Sequence, residues 1–94
     1  MALSEDEVRH HLPELDGWEF DGKQLTRLFV LPSFMGAIRF VQRIAEAAEG
    51  AAHHPDIDIR YDTVRLHLMT HSEHGITDKD FVLAKEINRA AAAE

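Results

Sequence analysis

Two short runs of alternating side chains, meeting at Asp62-Thr63, constrain the fold of this 94-residue chain more than any other feature. Ile57, Ile59 and Tyr61 alternate with Asp58, Arg60 and Asp62, and Val64, Leu66 and Leu68 alternate with Arg65, His67 and Met69. A period of two puts one set of side chains on a buried face and the other on a wetter one, which is the pattern of a strand. Asp62-Thr63 between them suits a hairpin turn. A second hairpin is expected upstream, with strands over 18–21 and 24–31. Trp18-Glu19-Phe20 alternates, Asp21-Gly22 supplies the turn, and Leu25 to Leu31 alternates again.

Helical spacing fills the remaining chain. Ser4-Glu5-Asp6-Glu7 has the form of a capping box, and Val8, Leu12 and Leu15 follow it, with Pro13 and Gly17 limiting the run. Phe34, Ile38, Val41, Ala45 and Ala48 recur at three- and four-residue intervals and predict a helix over 33–49, with Gly50 as its stop. A last helix starts near Thr77, carrying Phe81, Ala84, Ile87 and Ala91 as its apolar stripe. The order α-β-β-α-β-β-α predicts an α+β fold, with a four-stranded antiparallel sheet, helices packed on one face, and residues 1–94 as one domain. Such a sheet keeps two edges and one uncovered face, so a homo-oligomer is expected.

Charge and composition narrow the function. Asp and Glu number 17 against 10 Lys and Arg, for a formal net charge of −7. That balance is unsuited to neutralising phosphates, so nucleic acid is a poor partner. The chain has no Cys, which removes disulfide and thiolate chemistry. Glu5, Asp6, Glu7 and Glu14 stand where a secretory leader would be apolar, so a cytoplasmic location is expected. No segment approaches the roughly 18 apolar residues of a membrane span.

Histidine is the unusual component: seven residues, five of them between His53 and His74. Its ordinary pKa, about 6.5, lies nearest neutrality among side chains. A hairpin turning at Asp62-Thr63 sets position 54 opposite position 71 and brings His54, His71 and neighbouring His53 to one end. Three readings stand for this group: proton transfer, a metal site drawn from His53, His54, His71 and His74, or surface and capping histidines. Adjacent His residues on an extended chain point apart, and no H-E-x-x-H helix motif or Cys partner is present, which weighs against metal. His10 and His11 fall on the first helix and are expected to be solvated. His67 falls on the open sheet face, and His74 in a turn.

The spacing Glu49-x-x-x-His53-His54-Pro55, five residues to Tyr61, nine to His71 and eight to Asp80 resembles the signature of pterin-4a-carbinolamine dehydratases. Gly17-Trp18, the Phe-bearing second helix, Thr70-His71 and Gly75-Ile76-Thr77 are similar to that family too. The resemblance implies a four-stranded antiparallel sheet with helices on one face, in homodimers or homotetramers. It also implies the reaction: loss of water from a 4a-hydroxytetrahydropterin, released by an aromatic amino-acid hydroxylase, to give the quinonoid dihydropterin. His53, His54 and His71 then stand at the catalytic positions, and Glu49 and Asp80 at the acidic ones near the pterin.

The chemistry is consistent with that set. Elimination needs an acid for the departing hydroxyl and a base for the N5 proton, and it calls for no redox cofactor or metal. His71 and one of the His53-His54 pair suit that couple, with the remaining His positioning the ring. Glu49, an anion near a helix C-terminus, opposes the helix dipole there, which favours a functional reason for it. Asp80 has a second reading as a capping partner of Thr77. Trp18 and Phe34 suit either the core or the side of a ring; Phe34 is expected in the core, and Trp18 is taken as a substrate contact. Ala52 and Lys79 depart from the polar residue and the Arg usual in the family. Some relatives are binding or assembly modules without catalysis, and the intact three-His set weighs against that alternative here.

Overall fold

The computed structural model describes all 94 residues. Helix α1 (Glu5–His11) starts from the expected capping box: Glu7 N–H donates to Ser4 Oγ at 3.1 Å and Ser4 N–H donates to Glu7 Oε1 at 2.9 Å. Pro13 lies in the 3₁₀ turn Leu12–Glu14 that follows. The chain continues through β1 (Glu19–Phe20), β2 (Leu25–Val30), α2 (Phe34–Ala51), β3 (Asp56–Arg60), β4 (Thr63–Leu68), a 3₁₀ turn over His71–Glu73, and α3 (Asp78–Ala92). The four strands form one sheet in the order β1-β2-β4-β3, with every neighbouring pair antiparallel. The predicted α+β class and element order are therefore those of the molecule. No helix is long and apolar enough to cross a membrane.

Alternation decides which face of the sheet is dry. Leu25 and Phe29 of β2 and Val64, Leu66 and Leu68 of β4 are buried, in one core cluster with Ala37, Phe40 and Ile44 of α2 and Phe81, Ala84 and Ile87 of α3. Each buried Leu, Ile or Phe contributes about 1.5–3 kcal/mol relative to exposure. Arg65 and His67 take the opposite, open face, as their parity requires. His67 Nδ1 is buried there without a hydrogen-bond partner. Leu28, Val30, Phe34 and Met35 remain exposed, a group of apolar side chains around the β2–α2 junction.

Two local expectations need correction. The β3–β4 hairpin turns at Tyr61-Asp62, not Asp62-Thr63, because Arg60 pairs with Thr63. Tyr61 adopts a φ of 53°, a left-handed conformation better suited to Gly, Asn or Asp, so its side chain gave no turn signal. The real register pairs Asp56 with His67; continued by two residues it sets His54 opposite Met69, not His71. A slip of two keeps every side chain on its face, which is why the buried set was still legible.

Helix α2 also outruns Gly50. It ends at Ala51, and Ala52 takes the left-handed position with φ 51°. Ala52 N–H donates to the Glu49 carbonyl at 3.2 Å and His53 N–H to the Ala48 carbonyl at 3.0 Å. That pair of bonds is a Schellman closure with alanine where glycine is usual. Its consequence is positional: the closure fixes the backbone of His53 directly against the end of α2.

Candidate active site

The centre of the site is a carboxylate. Thr77 caps α3, and Asp80, at the third position of that helix, returns a bond to the cap: Thr77 N–H donates to Asp80 Oδ2 at 3.0 Å. The side chain of Asp80 is fully buried, with 0% exposure. A buried carboxylate without partners costs several kcal/mol, so what surrounds it matters. Thr70 Oγ1, at the end of β4, donates to Oδ2 at 2.8 Å. His53 Nε2 lies 2.6 Å from Oδ1. The capping and site readings of Asp80 are thus compatible: one oxygen closes the helix, and the other holds an imidazole.

His53 is itself only 9% exposed. It forms part of the wall of a cavity of about 260 Å³ between α2 and α3, beside Ala47, Ala51, Val82 and Leu83. His54, the next residue, points elsewhere, as adjacent residues on extended backbone do. Its Nε2 lies 2.5 Å from Glu49 Oε1, with both side chains largely exposed at 62% and 78%. That contact gives Glu49 a partner at the helix C-terminus, where its charge is otherwise unfavourable. Two His–carboxylate couples therefore flank the end of α2, one dry and one wet.

His71 is exposed and opens the 3₁₀ turn that follows Thr70. Thr70 and Gly75 close that turn, with Thr70 N–H donating to the Gly75 carbonyl at 2.8 Å. The link between His71 and His53 thus runs through Thr70 and Asp80, not across the hairpin as the register had suggested. Sequence reasoning missed Thr70 as a site residue; its position between β4 and His71 was the available signal.

Trp18 is not brought to this group. Its ring is buried in the core against Phe29, and its indole N–H donates to Asn88 Oδ1 at 2.8 Å. Asn88 lies eight residues beyond Asp80 on α3, roughly 12 Å along the helix. Arg27 Nη1 donates to the same Asn88 oxygen at 2.8 Å and to the Asp16 carbonyl. The guanidinium fills the space over Gly17, where an added Cβ would stand 2.6 Å from Arg27 and φ is +82°. The largest cavity, about 470 Å³, lies at this far end beside Arg27 and Asn88. Arg27 donates to Asn88, and both side chains donate to the Asp16 carbonyl, so the polar groups lining that cavity are engaged with one another. No three His, Cys, Asp or Glu side chains are grouped to hold a metal ion.

A family model described as pterin 4 alpha carbinolamine dehydratase matches residues 1–90. The chain belongs to that family. A relative from Mycobacterium sp. strain KMS, provisionally named a pterin-4-alpha-carbinolamine dehydratase, is 51% identical over 87 residues, which is 93% of each chain. One from Sulfolobus acidocaldarius, provisionally given the same name, is 42% identical over 95% of this chain and 98% of its own. Among solved structures, a transcriptional coactivator/pterin dehydratase from Brucella melitensis superposes with a TM-score of 0.92 at 38% identity, covering 97% of this chain and 99% of that one. A pterin dehydratase-like protein identified as a RuBisCO assembly factor in the alpha-carboxysome has a TM-score of 0.70 at 20% identity, over 80% of this chain and 89% of its own, and so shares the fold.

Proposed function

We propose that this pterin carbinolamine dehydratase family member catalyses the dehydration of a 4a-hydroxytetrahydropterin to the quinonoid dihydropterin. The observation that carries this reading is the buried His53–Asp80 couple, joined through Thr70 to the turn that bears His71. In the reaction the C4a–O bond breaks as the hydroxyl takes a proton and leaves as water. The N5 proton is lost to a base, and the C4a–N5 double bond forms. One proton is given and one is taken, with no net redox change.

The residues divide into roles on that basis. His71 and one of the His53-His54 pair supply and accept the protons, and the remaining His positions the ring. Asp80 orients His53, as a buried carboxylate orients a catalytic imidazole elsewhere. Glu49 does the same for His54 in a wetter setting. The cavity beside His53 offers a flat heterocycle an apolar wall. Trp18 is left out of this site and assigned to the core.

Homodimers or homotetramers fit the exposed group Leu28, Val30, Phe34 and Met35 and the two sheet edges at β1 and β3. An aromatic amino-acid hydroxylase is the reaction class that would supply the substrate. Stopped-flow absorbance of 4a-hydroxytetrahydropterin, generated enzymatically and mixed with the protein, tests the reading. Decay faster than the spontaneous rate is expected; decay at the spontaneous rate rejects it.

A further inference from the structure

The geometry points to Thr70 as the positioning residue that sets the tautomer of His53. The catalytic meaning of this assignment rests on the dehydratase reading above; the tautomer itself does not. Thr70 is 4% exposed, and its hydroxyl has one hydrogen. That hydrogen goes to Asp80 Oδ2 at 2.8 Å. Thr77 Oγ1 lies 2.7 Å from Thr70 Oγ1, and with Thr70 already donating, Thr77 is the donor of that bond. Thr77 Oγ1 then accepts from Lys79 N–H at 3.3 Å. The hydrogens therefore run one way, from Lys79 through Thr77 and Thr70 to Asp80.

Oδ2 accepts from two donors, Thr70 and the Thr77 amide. Oδ1 is left for His53, and an accepting oxygen 2.6 Å away requires the imidazole to carry its proton on Nε2. Nδ1 is then the nitrogen of His53 that exchanges protons with a substrate. If Asp80 held the shared proton instead, Nε2 would accept it and the ring would present Nδ1–H, the opposite polarity. Thr70 weights this choice because its bond to Oδ2 is stronger when Asp80 is a carboxylate than when it carries the shared proton. The same residue precedes the turn carrying His71 and closes it through its backbone bonds to Gly75, while its hydroxyl acts on Asp80.

The test uses the full-length chain labelled with 15N-histidine, as wild type, Thr70→Val and Thr70→Ser. Two-bond 1H–15N correlation spectra at neutral pH report which ring nitrogen of His53 is protonated. Wild type and T70S are expected to show protonated Nε2, and T70V a shift of population toward protonated Nδ1. In dehydration assays, T70V is expected to lower kcat about tenfold or more with little change in KM, and T70S to restore most of it. The assignment is overturned if folded T70V keeps the wild-type nitrogen pattern, or if T70S fails to restore it. Should T70V not fold, the wild-type spectrum decides: protonated Nδ1 there overturns the assignment. A wild-type protein that gives the expected spectrum but does not dehydrate the pterin rejects the dehydratase reading and leaves the tautomer assignment standing.

Discussion

His53 and Asp80 stand 27 positions apart in the chain and 2.6 Å apart in space, on a carboxylate that water does not reach. The end of α2, the start of α3 and the end of β4 all meet at that carboxylate. Removing its charge while keeping its shape should therefore do two things. Asp80→Asn is expected to lower the dehydration rate about a hundredfold or more, because His53 loses its orienting acceptor. It should also lower stability by about 1–3 kcal/mol through unmatched buried groups. Single-turnover rates and urea unfolding measure the two effects; a wild-type rate in the folded variant would take Asp80 out of the mechanism.

Trp18→Phe separates a core role from a substrate role. The indole N–H bonds only Asn88, at the far end of α3 from His53. A stability loss of about 1 kcal/mol with an unchanged KM and rate is expected. A raised KM would return Trp18 to the substrate.

Ala52→Gly should stabilise the fold. Ala52 sits at φ 51°, where an L side chain is strained, and glycine relieves that strain at the expense of a more flexible unfolded chain. A net gain of about 0.5–1 kcal/mol is expected from chemical denaturation, without loss of activity. A less stable variant would show that the methyl group packs usefully.

Acid should weaken the first hairpin through Asp21. Its Oδ1 accepts from the Gln24 and Lys23 amides at 2.7 and 2.9 Å, and those bonds hold its carboxyl below the ordinary Asp value. A carboxyl with a depressed folded-state pKa adds stability above its unfolded value, near 3.9, and loses it as pH falls through the folded value. The stability difference between wild type and Asp21→Asn should accordingly shrink as pH drops below about 4. A difference independent of pH would mean that the charge of Asp21 contributes nothing.

Much of the fold was legible because it is periodic. The alternation of Val64, Leu66 and Leu68 on β4 follows from the need to bury one face, whereas on α2 the buried stripe is Ala37, Phe40, Ile44 and Ala48, and Phe34 and Ala45 of the expected stripe are exposed. What escaped was set by backbone conformations that side chains do not advertise. Tyr61 and Ala52 both hold positive φ without being Gly, Asn or Asp, so the turn was placed one residue late and the helix ended two residues early. The site was legible as residue types and spacing, through His53, His54, His71 and Asp80. Its wiring was not, because the contact of His53 with Asp80 depends on where α2 and α3 end and begin in space. Asp80 as a cap was readable locally; that the same side chain also holds an imidazole was not.

Whether the three histidines carry the dehydration is decided by pre-steady-state turnover of 4a-hydroxytetrahydropterin by wild type, His53→Ala, His54→Ala, His71→Ala and the double variant of His53 and His71, at matched concentration and with folding checked by circular dichroism. Wild type is expected to accelerate the reaction clearly, variants lacking a proton-transferring histidine to lose about 10²–10⁴-fold, and the double variant of His53 and His71 to run near the spontaneous rate. Full wild-type acceleration in that double variant would contradict the catalytic role of these histidines.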